Sequence, residues 1–166
     1  LKLFDIRDLN KLDNFIKKNK PQIIFHLAAQ PLVIDSFEKP HKTFDINFMG
    51  TLNILEVAKK YNFIKSVICV TSDKVYENVG KLKGYKESDT LGGTDPYSAS
   101  KSSSEILIRS YRESFFKKKN LCGISSVRAG NVIGGGDWAL DRIVPDCINS
   151  WRNKKEIILR NPFATR

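Results

Sequence analysis

Tyr97 and Lys101 stand four residues apart in the run Pro96-Tyr97-Ser98-Ala99-Ser100-Lys101. On a helix that spacing puts both side chains on one face. A lysine ammonium beside a phenol favours the phenolate and brings tyrosine toward a useful general base. Such spacings also arise by chance, so the surroundings of the pair matter. Upstream, Thr71-Ser72-Asp73-Lys74-Val75-Tyr76 follows an apolar run. Polar and charged groups gathered at the carboxyl end of a strand are costly to bury unless they are paired or used. The chemistry on offer is acid–base chemistry. No metal set accompanies it: Cys69, Cys122 and Cys147 are odd in number and far apart, with no C-x-x-C. They fit reduced thiols in a cytoplasm better than a disulfide frame or a zinc site.

These groups need elements to position them. Leu9, Leu12, Phe15 and Ile16 form one apolar stripe, which predicts a helix over 9–19 that Pro21 closes. Ile23-Ile24-Phe25-His26-Leu27 is an unbroken apolar run, the mark of a strand buried on both faces. Phe44, Phe48, Leu52, Leu55 and Ala58 predict a helix over 41–61, and Val67 to Thr71 a second buried strand. Residues 76–96 lack periodicity and read as a long loop, which in a compact domain is functional or mobile. A helix over 98–118 carries Leu107, Tyr111 and Phe115 at helical spacing, and Ile124 to Ala129 forms a third strand. Gly134-Gly135-Gly136 breaks the chain before a last helix over 141–153 and a short strand at Ile157-Ile158-Leu159. This alternation predicts right-handed crossovers and a doubly wound α/β fold, its parallel sheet covered on both faces. Ligands bind such sheets beyond the carboxyl ends of the strands, here just after Leu27, Thr71 and Ala129.

The 166 residues are 41% hydrophobic with a net charge of +10, enough chain for one sizeable core. No apolar run approaches the ~18 residues of a membrane span, and the start lacks a secretory h-region. The lysine runs at 17–20, 59–60, 117–119 and 154–155 fall near predicted helix ends, where cations suit the helix dipole. No nucleic-acid motif accompanies them. The chain starts at Leu1 and its only Met is Met49, so it reads as a piece of a longer protein. Its first glycine is Gly50, so no G-x-G-x-x-G turn opens the first strand–helix unit.

In order and at the right intervals, Asp5-Ile6-Arg7-Asp8, His26-Leu27-Ala28-Ala29-Gln30, Asn47-Phe48-Met49-Gly50-Thr51 and Tyr97-x-x-x-Lys101 match known landmarks. With them the chain resembles the extended short-chain dehydrogenase/reductase superfamily of nucleotide-sugar enzymes. Thr71-Ser72-Asp73-Lys74, Leu91-Gly92-Gly93-Thr94-Asp95-Pro96, Arg128-Ala129-Gly130-Asn131-Val132-Ile133-Gly134-Gly135-Gly136-Asp137-Trp138 and Arg160-Asn161-Pro162 narrow this to the 4,6-dehydratases that act on CDP-glucose. Other nucleotide-sugar dehydratases and the epimerases are the alternatives. The epimerases generally lack an acid–base pair after the strand-end hydroxyl, and the dTDP-glucose enzymes typically carry Asp-Glu where this chain has Asp73-Lys74.

The resemblance implies a Rossmann-like fold cut at both ends. Residues 1–133 would be a partial NAD-binding domain without its glycine-rich unit, and 134–166 the start of the substrate region. It implies NAD as cofactor, a nucleotide-sugar substrate, no nucleic-acid or membrane partner, and a homo-oligomer at full length. Tyr97, Lys101, Ser72, Asp73 and Lys74 would be catalytic. Asp5 and Ile6 would hold the adenine, and Leu27, Ala28, Ala29, Gln30, Thr71 and Val132 would line the cofactor with Tyr97 and Lys101. Ser72, Asn131, Arg142 and Arg160 would meet the substrate, although surface arginines are the plainer reading of the last two. The reaction would be an internal redox dehydration, with hydride leaving C4 and returning to C6. An ammonium with a pKa near 10.4 accepts no proton, so Lys74 must be neutral when it removes the C5 proton; otherwise it stays charged and pairs with Asp73 or a phosphate. His26 reads as a hydrogen-bonded core histidine. Asn47 is either a helix residue or part of the active-site scaffold.

Overall fold

The computed structural model describes residues 1–117, 122–139, 141–159 and 162–163. It divides into two units, Leu1–Gly130 and Asn131–Arg166. In the first, β1 (Ile23–His26), β2 (Ser66–Val70) and β3 (Gly123–Val127) form a parallel sheet in the order β1-β2-β3. Ile23 pairs with Ser66, and Ser66 with Gly123. The expected parallel α/β architecture is present.

Helix α1 (Leu9–Asn19) starts where the Asp8 carboxylate accepts from the Lys11 N–H, at 3.0 Å. It stops at Lys20, whose left-handed backbone (φ 46°) returns its N–H to the Ile16 carbonyl. Lys17 and Lys18 occupy its last turn, and Lys59 and Lys60 that of α4 (Gly50–Lys60), as the dipole favours. Lys118 and Lys119 lie outside the described residues. Leu12 and Ile16 of α1, Leu55, Val57 and Ala58 of α4, and Ile108 of α5 (Pro96–Tyr111) bury the same core as Val67, Cys69 and Ile124.

That core covers one face of the sheet. On the other, Ile23 is 55% exposed, Phe25 66% and Val127 47%. The strands of this unit are therefore not buried on both faces, contrary to the reading of β1 as an apolar run. The strand order explains it. Right-handed crossovers that step steadily in one direction drop every helix on the same side, and only a reversal of order winds the second face.

Other boundaries moved for local reasons. The helix expected over 41–61 is α3 (Pro40–Phe44), a π-helical turn over Asp45–Met49, and then α4. A second π turn, Arg112–Phe116, follows α5. The six-residue α2 (Val33–Glu38) was not foreseen. No strand forms at Ile157–Leu159, which is exposed and has no paired neighbour among the described residues. The loop 76–96 is neither regular nor open. Tyr76 bridges Leu91, Glu77 N–H bonds the Thr90 carbonyl at 2.9 Å, and Gly92 N–H bonds the Val75 carbonyl at 2.9 Å. The second unit carries α6 (Ile143–Arg152).

Candidate functional site

The backbone beyond β2 is held by β3. Thr71 N–H donates to the Val127 carbonyl at 2.8 Å and Asp73 N–H to the Ala129 carbonyl at 2.9 Å. Ser72 then opens a one-turn 3-10 helix, Asp73–Val75, by accepting from the Lys74 N–H at 3.2 Å. Its hydroxyl donates to Asp73 Oδ1 at 3.2 Å and is itself buried. A short polar turn at a strand end stays in place because the chain beyond β3 supplies its backbone partners.

Against this turn lies the start of α5. Pro96 occupies its first position and Asp95 caps it, accepting from Ser98 N–H at 2.8 Å and Ser98 Oγ at 2.7 Å. The loop before the cap presses onto the helix so closely that a Cβ on Gly93 would sit 2.5 Å from Ala99 N and 2.7 Å from Ser98 C. Only hydrogen fits there. Tyr97 and Lys101 are both buried one turn apart, and Lys101 Nζ donates to the Val70 carbonyl at 3.2 Å, where β2 ends. Burial lowers the Lys101 pKa, opposed by the charges of Cys69 and Glu105. Lys74 Nζ stands 3.9 Å from Asp95 Oδ2, the carboxylate that caps the helix. Ser72, Asp73, Lys74, Tyr97 and Lys101 thus meet where the second strand ends. A buried hydroxyl, a phenol, a carboxylate and two amines in one place can hold an oxygen and move protons at it.

The end of β1 is open: Leu27 is 66% exposed, Ala28 is exposed and Ala29 half-buried. Gln30 is clamped. Its N–H donates to Asn47 Oδ1 at 2.8 Å, and Asn47 Nδ2 reaches the Gln30 carbonyl at 3.2 Å and Ser100 Oγ at 2.9 Å. Asn47 sits in the π turn and ties the first strand's loop to α5. His26 Nε2 lies 3.1 Å from Thr51 Oγ1, and burial, aided by the Lys101 charge, pushes its pKa down to about 4. It is a neutral core histidine.

Asp5 is gripped by Arg7 through Nε at 3.0 Å and Nη2 at 2.7 Å, which lowers its pKa to about 2. Helix α1 is capped by Asp8 instead, while Ile6 is half-buried beside the core. The Thr71 hydroxyl bonds Glu105 Oε1 at 2.5 Å and lies 3.3 Å from the Val127 carbonyl. In the second unit Asn131 and Val132 are exposed, and Arg142 Nε lies 3.9 Å from Asp137 Oδ2. Arg160 lies outside the described residues. Glu105 was missed, though it continues the stripe of Tyr97 and Lys101 by a further four residues.

A parallel sheet with a polar turn at the end of a central strand, packed against a helix that carries a buried tyrosine–lysine pair, is the scaffold of the Rossmann-like dehydrogenase/reductases. The chain belongs to the GDP-mannose 4,6 dehydratase family, a model of which matches residues 1–155. It is 49% identical to the CDP-glucose 4,6-dehydratase of Salmonella typhimurium (strain LT2) over 98% of this chain and 46% of that protein. Among solved structures it resembles the dTDP-glucose 4,6-dehydratase of Bacillus anthracis in complex with NAD. The TM-score is 0.75 at 26% identity, covering 93% of this chain and 44% of that one. The UDP-glucose 4-epimerase of Thermotoga maritima shares the fold with a TM-score of 0.81 at 22% identity, over 92% of this chain and 48% of that one. The chain therefore spans about half the length of the relatives it matches.

Proposed function

We propose that this chain is the central part of an NAD-dependent nucleotide-sugar 4,6-dehydratase that converts CDP-glucose to CDP-4-keto-6-deoxyglucose. The observation that carries the reading is the buried Tyr97–Lys101 pair set against the Ser72-Asp73-Lys74 turn. The nucleotide follows the relative at 49% identity. The residues present fit the nicotinamide end of the cofactor: among the described residues the Lys101 ammonium, which has three donors, bonds the Val70 carbonyl alone, and the open β1 end leaves backbone accessible. When bound, NAD supplies the hydride chemistry at C4 and C6.

The protein's residues do the rest. Tyr97 removes the 4-hydroxyl proton, while Ser72 donates a hydrogen bond to that oxygen. Lys101 holds charge beside the phenol and a ribose hydroxyl of the cofactor. The 4-ketone acidifies C5–H, Lys74 takes that proton, Asp73 protonates the departing C6 hydroxyl as water, and Lys74 gives a proton back to C5 when C6 is reduced. Leu27, Ala28, Ala29, Gln30 and Thr71 line the cofactor mainly through backbone, and Asp5 with Ile6 takes the adenine end. Asn131, Val132, Arg142 and Arg160 contact cofactor or sugar nucleotide from the residues that open the substrate region. The setting we infer is cytoplasmic and the full-length form a homo-oligomer without nucleic acid. The cytoplasmic setting is supported by Cys69, Cys122 and Cys147 being free thiols; no described helix is long and apolar enough to cross a membrane.

Incubating the full-length protein with CDP-, dTDP- and UDP-glucose tests the reading. Keto-sugar from CDP-glucose is the expected product, and turnover of dTDP-glucose alone removes the assignment.

A further inference from the structure

Glu105 is a buried carboxylate, 5% exposed, that the proton transfers above do not use. Its two oxygens are divided. Oε1 accepts from the Thr71 hydroxyl at 2.5 Å. Oε2 accepts from Ser126 Oγ at 3.0 Å and from Arg128 Nη2 at 2.9 Å. One side chain of α5 thereby reaches the residue before Ser72 and, in β3 and its extension, both Ser126 and Arg128. Arg128 carries the tie outward: its guanidinium lies 4.9 Å from the centre of the Tyr76 ring and donates to the Glu87 carbonyl at 3.3 Å, both in the loop that closes before Asp95. The helix that bears Tyr97 and Lys101, the strand end that bears Ser72, and the loop that leads to the Asp95 cap all meet at this carboxylate. A buried acid whose partners are this complete is costly to assemble and strongly directional.

We infer that Glu105 is a positioning residue for the dehydratase reaction, acting through Thr71 to hold the Ser72 turn at the right distance from Tyr97. The inference rests on the function proposed above. It needs both oxygens, because a glutamine offers one acceptor where the site uses two, and an aspartate is one methylene too short to span Thr71 and Arg128 together. A shift of the strand end of about 1 Å would lower turnover by roughly ten- to a hundredfold without altering how tightly substrate is held.

The test is a cycle of Glu105→Gln, Thr71→Val and the double variant in the full-length protein. The readouts are kcat and KM for CDP-glucose, NAD retained per protomer, and the melting temperature. Expected are a kcat at least about tenfold lower in Glu105→Gln with KM within about twofold, and a double variant no slower than Thr71→Val alone. A kcat per folded protomer equal to wild type, or losses that multiply in the double variant, overturns the inference. If Glu105→Gln does not fold, Glu105→Asp is measured the same way, and full turnover there overturns it as well. A wild-type protein inactive on CDP-, dTDP- and UDP-glucose instead refutes the dehydratase reading, and this inference with it.

Discussion

Lys74 stands 3.9 Å from the carboxylate that caps α5, and its side chain is one-third exposed. Acting as the C5 base requires it to give up its proton first, and an arginine in its place keeps charge but does not deprotonate. Lys74→Arg is therefore expected to retain hydride removal from C4, seen as a transient absorbance of reduced cofactor. It should lose solvent-deuterium exchange at C5 and the final keto-sugar. Near wild-type product formation by this variant means that Lys74 is not the base. His26 offers a test of stability rather than activity. Its folded pKa of about 4 lies below its ordinary value of 6.5, so between those limits the unfolded chain binds the extra proton. Stability then falls as pH drops through that window, by on the order of 3 kcal/mol at most. Full-length protein carrying His26→Gln should show a flatter dependence of its unfolding midpoint over the same range; an unchanged slope sinks the assignment.

At the level of elements, the approach of the 91–95 loop to α5 is the tightest fit near the site. Gly93→Ala would drive a methyl into the backbone at Ser98 and Ala99. We expect it to cost about 1–3 kcal/mol, as overpacking does, and to lower kcat by moving the helix start. A melting temperature equal to wild type counts against so close a contact. The glycine pair was legible in the sequence as part of a motif, whereas the reason for it was not, because the clash is with backbone that is distant until the loop folds. The same holds elsewhere. Periodicity marks α1 to its last residue, since Leu12 and Ile16 face the core by local spacing alone. It misses the π turn at Asp45–Met49, where one helix changes phase to send Asn47 inward, and the short α2, which has too few turns to show a stripe. It overcalls Ile157–Leu159, for a strand exists only with a partner. The Tyr97, Lys101 and Ser72 cluster could be read from spacing and position, but the clamp at Glu105 depends on Thr71, Ser126 and Arg128 arriving from two other segments.

For the molecule as a whole, the described first unit has one covered face and no glycine before Gly50. A dinucleotide's pyrophosphate is normally seated on a glycine-rich turn at a helix N-terminus. The 166-residue chain alone is expected to bind NAD far more weakly than a form extended upstream by such a unit. Calorimetry on the two decides, and equal affinities would show that the cradle is supplied within this chain.

The parallel register has a kinetic consequence. Ile23 waits for Ser66, and Ser66 for Gly123, so no strand pair closes locally and loop closure precedes every ladder. During synthesis the helices form early, and the sheet must wait. The turn that carries Ser72 waits longest, because the carbonyls that fix it belong to Val127 and Ala129. A nascent chain halted before those residues already contains Ser72, Tyr97 and Lys101, yet it lacks the carbonyls that fix the turn bearing the first of them.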